Sequence, residues 1–354
     1  MLWELIGGAA IAALVSAVIC RVQMATGPFD QPDGERKSHG ATTPTSGGVG
    51  VAVGYTAAII ALSQFAHMLV LQRQVAALVW LTSAFAFVFL LIGFIDDTRP
   101  LGPRIKFLMF TVLSLAGAIT MGVVDTLPLG EGETLRIGVS LGLFGTALWI
   151  FVLVNCVNFM DGANGLAIGS VAIGLFALGA IAFDQDPSTP QNLSSAAVMT
   201  FCCGGALVGF LVWNFPFGKI FAGDSGALFA GAIAALVSLV LLARTEVSPF
   251  VPPILFMPLL ADALLTLAWR VMRRRKLLVG HAEHFYQIAI RAGWSHARIS
   301  LLYWAAMLGC GVLGFYLSRL GDSAEPWIAL AALAGLSLAV SLFVRRYAHA
   351  HGMS

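Results

Sequence analysis

Eleven apolar runs, each about twenty residues long, take up most of this 354-residue chain and dictate what it can fold into. A helix needs ~20 apolar residues to cross a bilayer. The runs extend from Leu2 to Cys20, Gly48 to Leu69, Val75 to Ile95, Ile105 to Val124, Val139 to Met160, Asn164 to Phe183, Ser194 to Phe215, Ser225 to Ala243, Phe250 to Val271, Ile299 to Ser318 and Trp327 to Val344. Only 11% of the residues are charged and 58% are hydrophobic, whereas a soluble domain carries about 25% charged residues. The pattern predicts an all-α polytopic integral membrane protein of about 11 transmembrane helices, forming a single domain over residues 1–354. Pro252, Pro253 and Pro258 in the ninth run predict a broken helix there. The glycine-bearing segment Thr126 to Arg136 predicts a small hairpin.

The charges orient these helices. Glu4 stands at the start of the first run and Arg21 follows it, the reverse of a cleavable signal peptide. This predicts a periplasmic amino terminus and a cytoplasmic carboxyl terminus. With that parity, 16 of the 20 lysines and arginines fall on the inner side, leaving Arg73, Arg136, Arg244 and Arg319 outside. Cytoplasmic loops collect positive charge in this way, so the chain reads as a multi-pass membrane protein with these inner loops in the cytoplasm. A net charge of only +2 argues against nucleic acid as a partner. The five cysteines lie in or beside apolar runs without a CxxC pair, and read as small core residues.

The unusual polar residues collect on the inner side. Asp96-Asp97 closes the third run, with Lys106 opening the fourth. Adjacent carboxylates near hydrocarbon invite a cation, although an acidic helix end is the simpler reading of that pair alone. Asn155, Asn158 and Asp161 recur every third residue at the end of the fifth run and share a helical stripe. Asp224 precedes the eighth run between glycines, suited to capping a helix or to ligating Mg²⁺. The largest inner loop holds Arg273-Arg-Arg-Lys276 and then His281-Ala-Glu-His284, cations suited to phosphate. The first inner loop adds Arg36 and His39. Inside the ninth run stands Asp262, a functional candidate as any intramembrane carboxylate is.

Carboxylates that hold Mg²⁺ beside cations that hold phosphate are the parts of a phosphoryl-transfer site. A secondary transporter also uses broken helices and an intramembrane acid, but its site lies near the midplane. A CDP-alcohol phosphatidyltransferase would need an aspartate array that this chain lacks. Asp96-Asp97 with Lys106, Asn155-x-x-Asn158-x-x-Asp161-Gly, Gly-Asp224-Ser-Gly and the His281/His284 loop, in this order on inner loops, resemble the polyprenyl-phosphate N-acetylhexosamine-1-phosphate transferase superfamily, the bacterial glycosyltransferase family 4.

That resemblance implies an Mg²⁺-dependent enzyme, with Mn²⁺ as a substitute, working at the cytoplasmic face on undecaprenyl phosphate and a UDP-N-acetylhexosamine. It implies Asp224 and Asp161 as metal ligands, and Asp96, Asp97, Asp224 and Lys106 as the catalytic set. Asn155, Asn158, Asp161, His281, His284, Arg36 and His39 would then bind substrate. The lipid phosphate has a second pKa near 6, so at neutral pH it needs positioning more than deprotonation. The loop reads His281-Ala-Glu-His-Phe-Tyr-Gln287, without the three consecutive histidines typical of the peptidoglycan-precursor enzyme. It looks closer to O-antigen initiating members, which favours UDP-GlcNAc or a 6-deoxy N-acetylhexosamine as donor. A homodimer is compatible with this reading.

Overall fold

The computed structural model describes residues 1–26, 29–30, 43–65, 73–186, 194–276, 282–321, 323–350 and 352. Arg36, His39 and His281 lie outside these residues. Ten helices among the described residues are long and apolar enough to span a membrane. They are α1 (Leu2–Thr26), α2 (Gly47–Phe65), α3 (Arg73–Thr98), α4 (Pro103–Met121), α5 (Gly138–Met160), α6 (Leu166–Gln185), α7 (Ser195–Asn214), α8 (Gly223–Leu242), α12 (His296–Leu317) and α13 (Glu325–Ala350). The ninth run is interrupted. It forms α9 (Val251–Leu255) and α10 (Met257–Met272), which part at Phe256. Both halves carry proline in the first turn, where its missing N–H leaves no helical bond unmade. A short helix α11 (Phe285–Arg291) follows α10.

Sheet is confined to two small pairs, β1 (Phe29–Asp30) with β2 (Thr43–Pro44) and β3 (Thr126–Gly130) with β4 (Glu133–Arg136). The second is the hairpin expected between the fourth and fifth runs. Its turn puts Gly130, Glu131 and Gly132 at positive φ. The fold is therefore an all-α multi-pass membrane protein, and all five cysteines are buried and free.

α8 is the central post. Every residue from Ser225 to Leu241 is buried, as expected of a helix that is apolar on all sides. It packs against α2, α3, α5, α6 and α7, and its many Gly and Ala residues allow close approach. α1 leans on α2 and α7, while α12 and α13 pack beside α6, α9 and α10.

Alternation of the helices sorts the polar chemistry to two ends. One end holds the hairpin, whose Leu129 carbonyl accepts the Trp327 indole N–H, and the Arg319–Asp184 and Arg244–Asp186 pairs. The other holds the start of α8, the ends of α3 and α5, and Arg21 and Lys219, both over the Trp213 ring. Arg21 and Lys219 thus lie at one end of the helices, and Arg244 and Arg319 at the other.

Candidate active site

α3 continues one turn past its apolar run, so Asp96 and Asp97 stand in its last turn. Pro103 starts α4 and sets Lys106 within the first turn. The Leu101 N–H donates to Asp96 Oδ1 at 2.6 Å, folding the linker back on the end of α3. Lys106 Nζ then lies 2.7 Å from Asp96 Oδ2 and 2.8 Å from Asp224 Oδ2, bridging residues on three helices. Asn158 donates through Nδ2 to Asp224 Oδ1 at 2.9 Å, which ties in α5.

Asp97 works on the backbone instead. Its Oδ1 accepts the Asp224 N–H at 2.8 Å and its Oδ2 accepts the Ser225 N–H at 3.1 Å. The first N–H groups of a helix have no partner within it, and the positive end of its dipole favours a carboxylate. A residue of α3 therefore caps α8. Gly93 lets the two helices meet: a Cβ there would sit 2.5 Å from the Asp224 carbonyl carbon and the Ser225 nitrogen. Gly223 has φ of +68° and leaves room for the Asp97 carboxylate, which an added Cβ would meet at 2.6 Å. On the opposite side Gly48 abuts Gly226 and Ser225, and the Gly48 N–H donates to the Ala222 carbonyl.

Asp161 lies one residue past the end of α5. Its loop is fixed from below: the Gly165 N–H donates to Asn214 Oδ1 at 2.6 Å, and the Asn164 and Gly165 carbonyls accept from Ser300 and Trp304. No hydrogen bond reaches the Asp161 side chain among the described residues. Burial first, and then the Asp224 and Asp97 charges, push its carboxyl well above the usual range. Asn155 stands apart, because its amide donates to the Phe151 carbonyl one turn back on its own helix.

His284 is buried and starts α11 beside the end of α5, its ring 6.1 Å from that of Phe159. The neighbouring Tyr286 donates its hydroxyl to the Phe159 carbonyl at 3.1 Å and touches Gly162. Glu283 is bound by Arg270 and Arg275. Against the partial burial that would raise it, these guanidiniums hold the Glu283 carboxyl below its usual range.

The structure thus brings Asp96, Asp97, Lys106, Asn158 and Asp224 into direct contact, with Asp161 in electrostatic reach and His284 on the far side of the α5 end. The acids here outnumber the one ammonium, and among the described residues no three His, Cys, Asp or Glu are grouped to hold a metal ion by themselves, which leaves one or two hard carboxylates for the purpose. That is the kind of site Mg²⁺ takes when it keeps water and substrate phosphate among its ligands. Asp161 and Asp224 are the residues that would hold it. Sequence reasoning missed Gly93 and Tyr286. A lone glycine in an apolar run and a tyrosine in a loop carry no periodic signal.

Comparison with known proteins gives the same reading. The family model for glycosyl transferase family 4 matches residues 78–242, which include all the contacting site residues but stop short of His284. A Bacillus subtilis protein named "Probable undecaprenyl-phosphate N-acetylglucosaminyl 1-phosphate transferase" is 27% identical over 297 residues, 82% of this chain and 76% of its own. The decaprenyl-phosphate N-acetylglucosaminephosphotransferase of Mycobacterium leprae is 27% identical over 88% of this chain and 83% of its own. The phospho-N-acetylmuramoyl-pentapeptide-transferase of Bacillus velezensis is 28% identical over 90% and 97%. These relatives transfer different sugars, but all are named as transferases of a phosphorylated amino sugar. With the acid cluster assembled at one end of the helices, this chain is similar to the polyprenyl-phosphate N-acetylhexosamine-1-phosphate transferase superfamily.

Proposed function

We propose that the protein transfers N-acetylhexosamine 1-phosphate from a UDP-sugar to undecaprenyl phosphate at the cytoplasmic face of a bacterial inner membrane, starting a lipid-linked surface polysaccharide of the O-antigen kind. The observation that carries this reading is the Lys106 bridge between Asp96 and Asp224 at 2.7 and 2.8 Å, within the matched family segment. An oxygen of the lipid phosphate attacks the sugar-linked phosphorus of the donor. The bond from that phosphorus to the bridging oxygen breaks, and UMP leaves with that oxygen. In-line positioning and charge neutralisation do most of the work in such a transfer. Asp224 and Asp161 would hold Mg²⁺, which when bound would supply charge neutralisation on the diphosphate. Lys106 neutralises an incoming phosphate, Asp96 orients it, and Asp97 fixes the α8 terminus that presents Asp224. Asn158 keeps the Asp224 carboxylate turned inward. Asn155, His281, His284, Arg36 and His39 complete the substrate side in this reading.

A second reading takes muramoyl-pentapeptide as the sugar substituent. The relative in Bacillus velezensis favours it, since the match covers 97% of that protein. The histidine loop His281-Ala-Glu-His284 favours the smaller donor. Purified protein given undecaprenyl phosphate, Mg²⁺ and a panel of UDP-sugars separates them. The proposal expects UMP and a lipid-linked product from UDP-GlcNAc or a 6-deoxy N-acetylhexosamine donor. Product from UDP-N-acetylmuramoyl-pentapeptide alone would establish the second reading, and no UMP from any donor would overturn both.

A further inference from the structure

Asp262 is the one acid of the ninth span, and it faces the His284 ring and lies within electrostatic reach of Arg345. It is 1% exposed, yet it is saturated with donors. Its Oδ1 accepts the Phe285 N–H at 2.8 Å and lies 3.3 Å from the Thr266 hydroxyl and 3.2 Å from His284 Nδ1. Its Oδ2 accepts the Tyr303 hydroxyl at 2.6 Å and the Tyr286 N–H at 3.3 Å. A carboxylate has about four lone-pair sites, and these contacts occupy most of them. Burying such a charge is tolerable when it is hydrogen-bonded in this way.

The donors are what matter. Phe285 and Tyr286 are the first two residues of α11, and their N–H groups have no acceptor within that helix. The His284 N–H is answered separately by Gln287 Oε1 at 3.1 Å. The carboxylate on α10 therefore fixes the start of α11 from outside, and Tyr303 of α12 braces the carboxylate from behind. The held segment presses on the end of α5, through Tyr286 to the Phe159 carbonyl and Gly162, and through the His284 ring to that of Phe159. Asp161 follows two residues after Phe159.

We infer that Asp262 is a positioning residue, which clamps the start of α11 so that His284 and Tyr286 form a wall beside Asp161 against the sugar-diphosphate donor. The inference rests on the proposed transferase reading for the identity of that donor.

Two readouts on the full-length protein in detergent test it. Amide hydrogen exchange follows the clamp without any substrate. In Asp262→Asn, exchange at residues 285–291 should rise about tenfold or more while α8 and α12 stay protected, as expected when charge-assisted hydrogen bonds are lost. The Michaelis constant for the UDP-sugar should rise about tenfold with that for undecaprenyl phosphate unchanged. Tyr303→Phe removes one bond only and should move both readouts the same way by about threefold. A folded Asp262→Asn protein with unchanged exchange at 285–291 overturns the inference, and so does an equal effect on both substrates. If Asp262→Asn does not fold, wild-type values in Tyr303→Phe overturn it instead. Absence of UMP release by the unmodified protein would sink the transferase reading while exchange still reports on the clamp.

Discussion

The carboxylate of Asp97, at the end of α3, accepts the backbone N–H groups of Asp224 and Ser225, at the start of α8. Two aspartates 127 positions apart are thereby set side by side. Removing this cap should loosen the presentation of Asp224 as well as the helix end. Loss of a helix cap costs about 0.5–2 kcal/mol. Asp97→Ala should therefore lower the unfolding temperature in detergent by a few degrees, and should lower UMP release by about a hundredfold. Wild-type turnover in a folded Asp97→Ala protein would remove Asp97 from the site.

Gly93→Ala tests the same junction from the other side. Its Cβ would meet backbone atoms of Asp224 and Ser225 at 2.5 to 2.6 Å, and backbone cannot swing away as a side chain can. Overpacking of this kind costs about 1–3 kcal/mol, and turnover should fall at least about tenfold as α3 and α8 part. Gly145→Ala, whose Cβ would meet nothing within 4 Å, should leave both stability and turnover unchanged. Thermal unfolding and UMP release, run in parallel, check the pair.

Lys106 bridges Asp96 and Asp224, two carboxylates that also face each other directly. Lys106→Gln should lower UMP release by about a hundredfold, as removal of one charge-stabilising group does. Free Mg²⁺ would then have to offset the uncompensated acids, so the Mg²⁺ concentration for half-maximal rate should fall. An unchanged rate and an unchanged Mg²⁺ requirement would contradict the role given to this lysine.

Glu283 gives a prediction with a sign. Arg270 and Arg275 lower its pKa on folding. The stability this adds is fully present above the ordinary glutamate value of 4.5 and is lost as pH falls through the lower folded value. Glu283→Gln should therefore lower the unfolding temperature at neutral pH, where it strands the buried Arg270, and should flatten its decline below pH 4.5. Unfolding curves measured against pH for both proteins decide this. Parallel curves with the same acid decline would contradict the assignment.

Hydropathy made the helices legible because lipid exposure enforces long apolar runs, and the prolines of the ninth run marked its break. The Thr126 to Arg136 hairpin was legible from its glycines. The site was legible as a set of residue types at one end of the bundle, since acids and amides near hydrocarbon are rarely there to pack. What spacing could not give is which neighbour each group finds. Asn155 shares a stripe with Asn158, yet only Asn158 reaches Asp224, because Asn155 bonds within its own helix. Asp262 read as an intramembrane acid and a functional candidate, with no partner legible from spacing, whereas the return of the chain after α10 sets the α11 backbone against it. Such partners lie tens of residues apart and are set by the fold rather than by local pattern.

The account is tested most directly in sealed vesicles of opposite orientation, each holding the protein and undecaprenyl phosphate, with the UDP-sugar supplied from outside. UMP should form in inside-out vesicles with Mg²⁺, should be absent from right-side-out vesicles, and should vanish in inside-out vesicles carrying Asp224→Ala. UMP formed only in right-side-out vesicles, or undiminished by Asp224→Ala, would contradict the account.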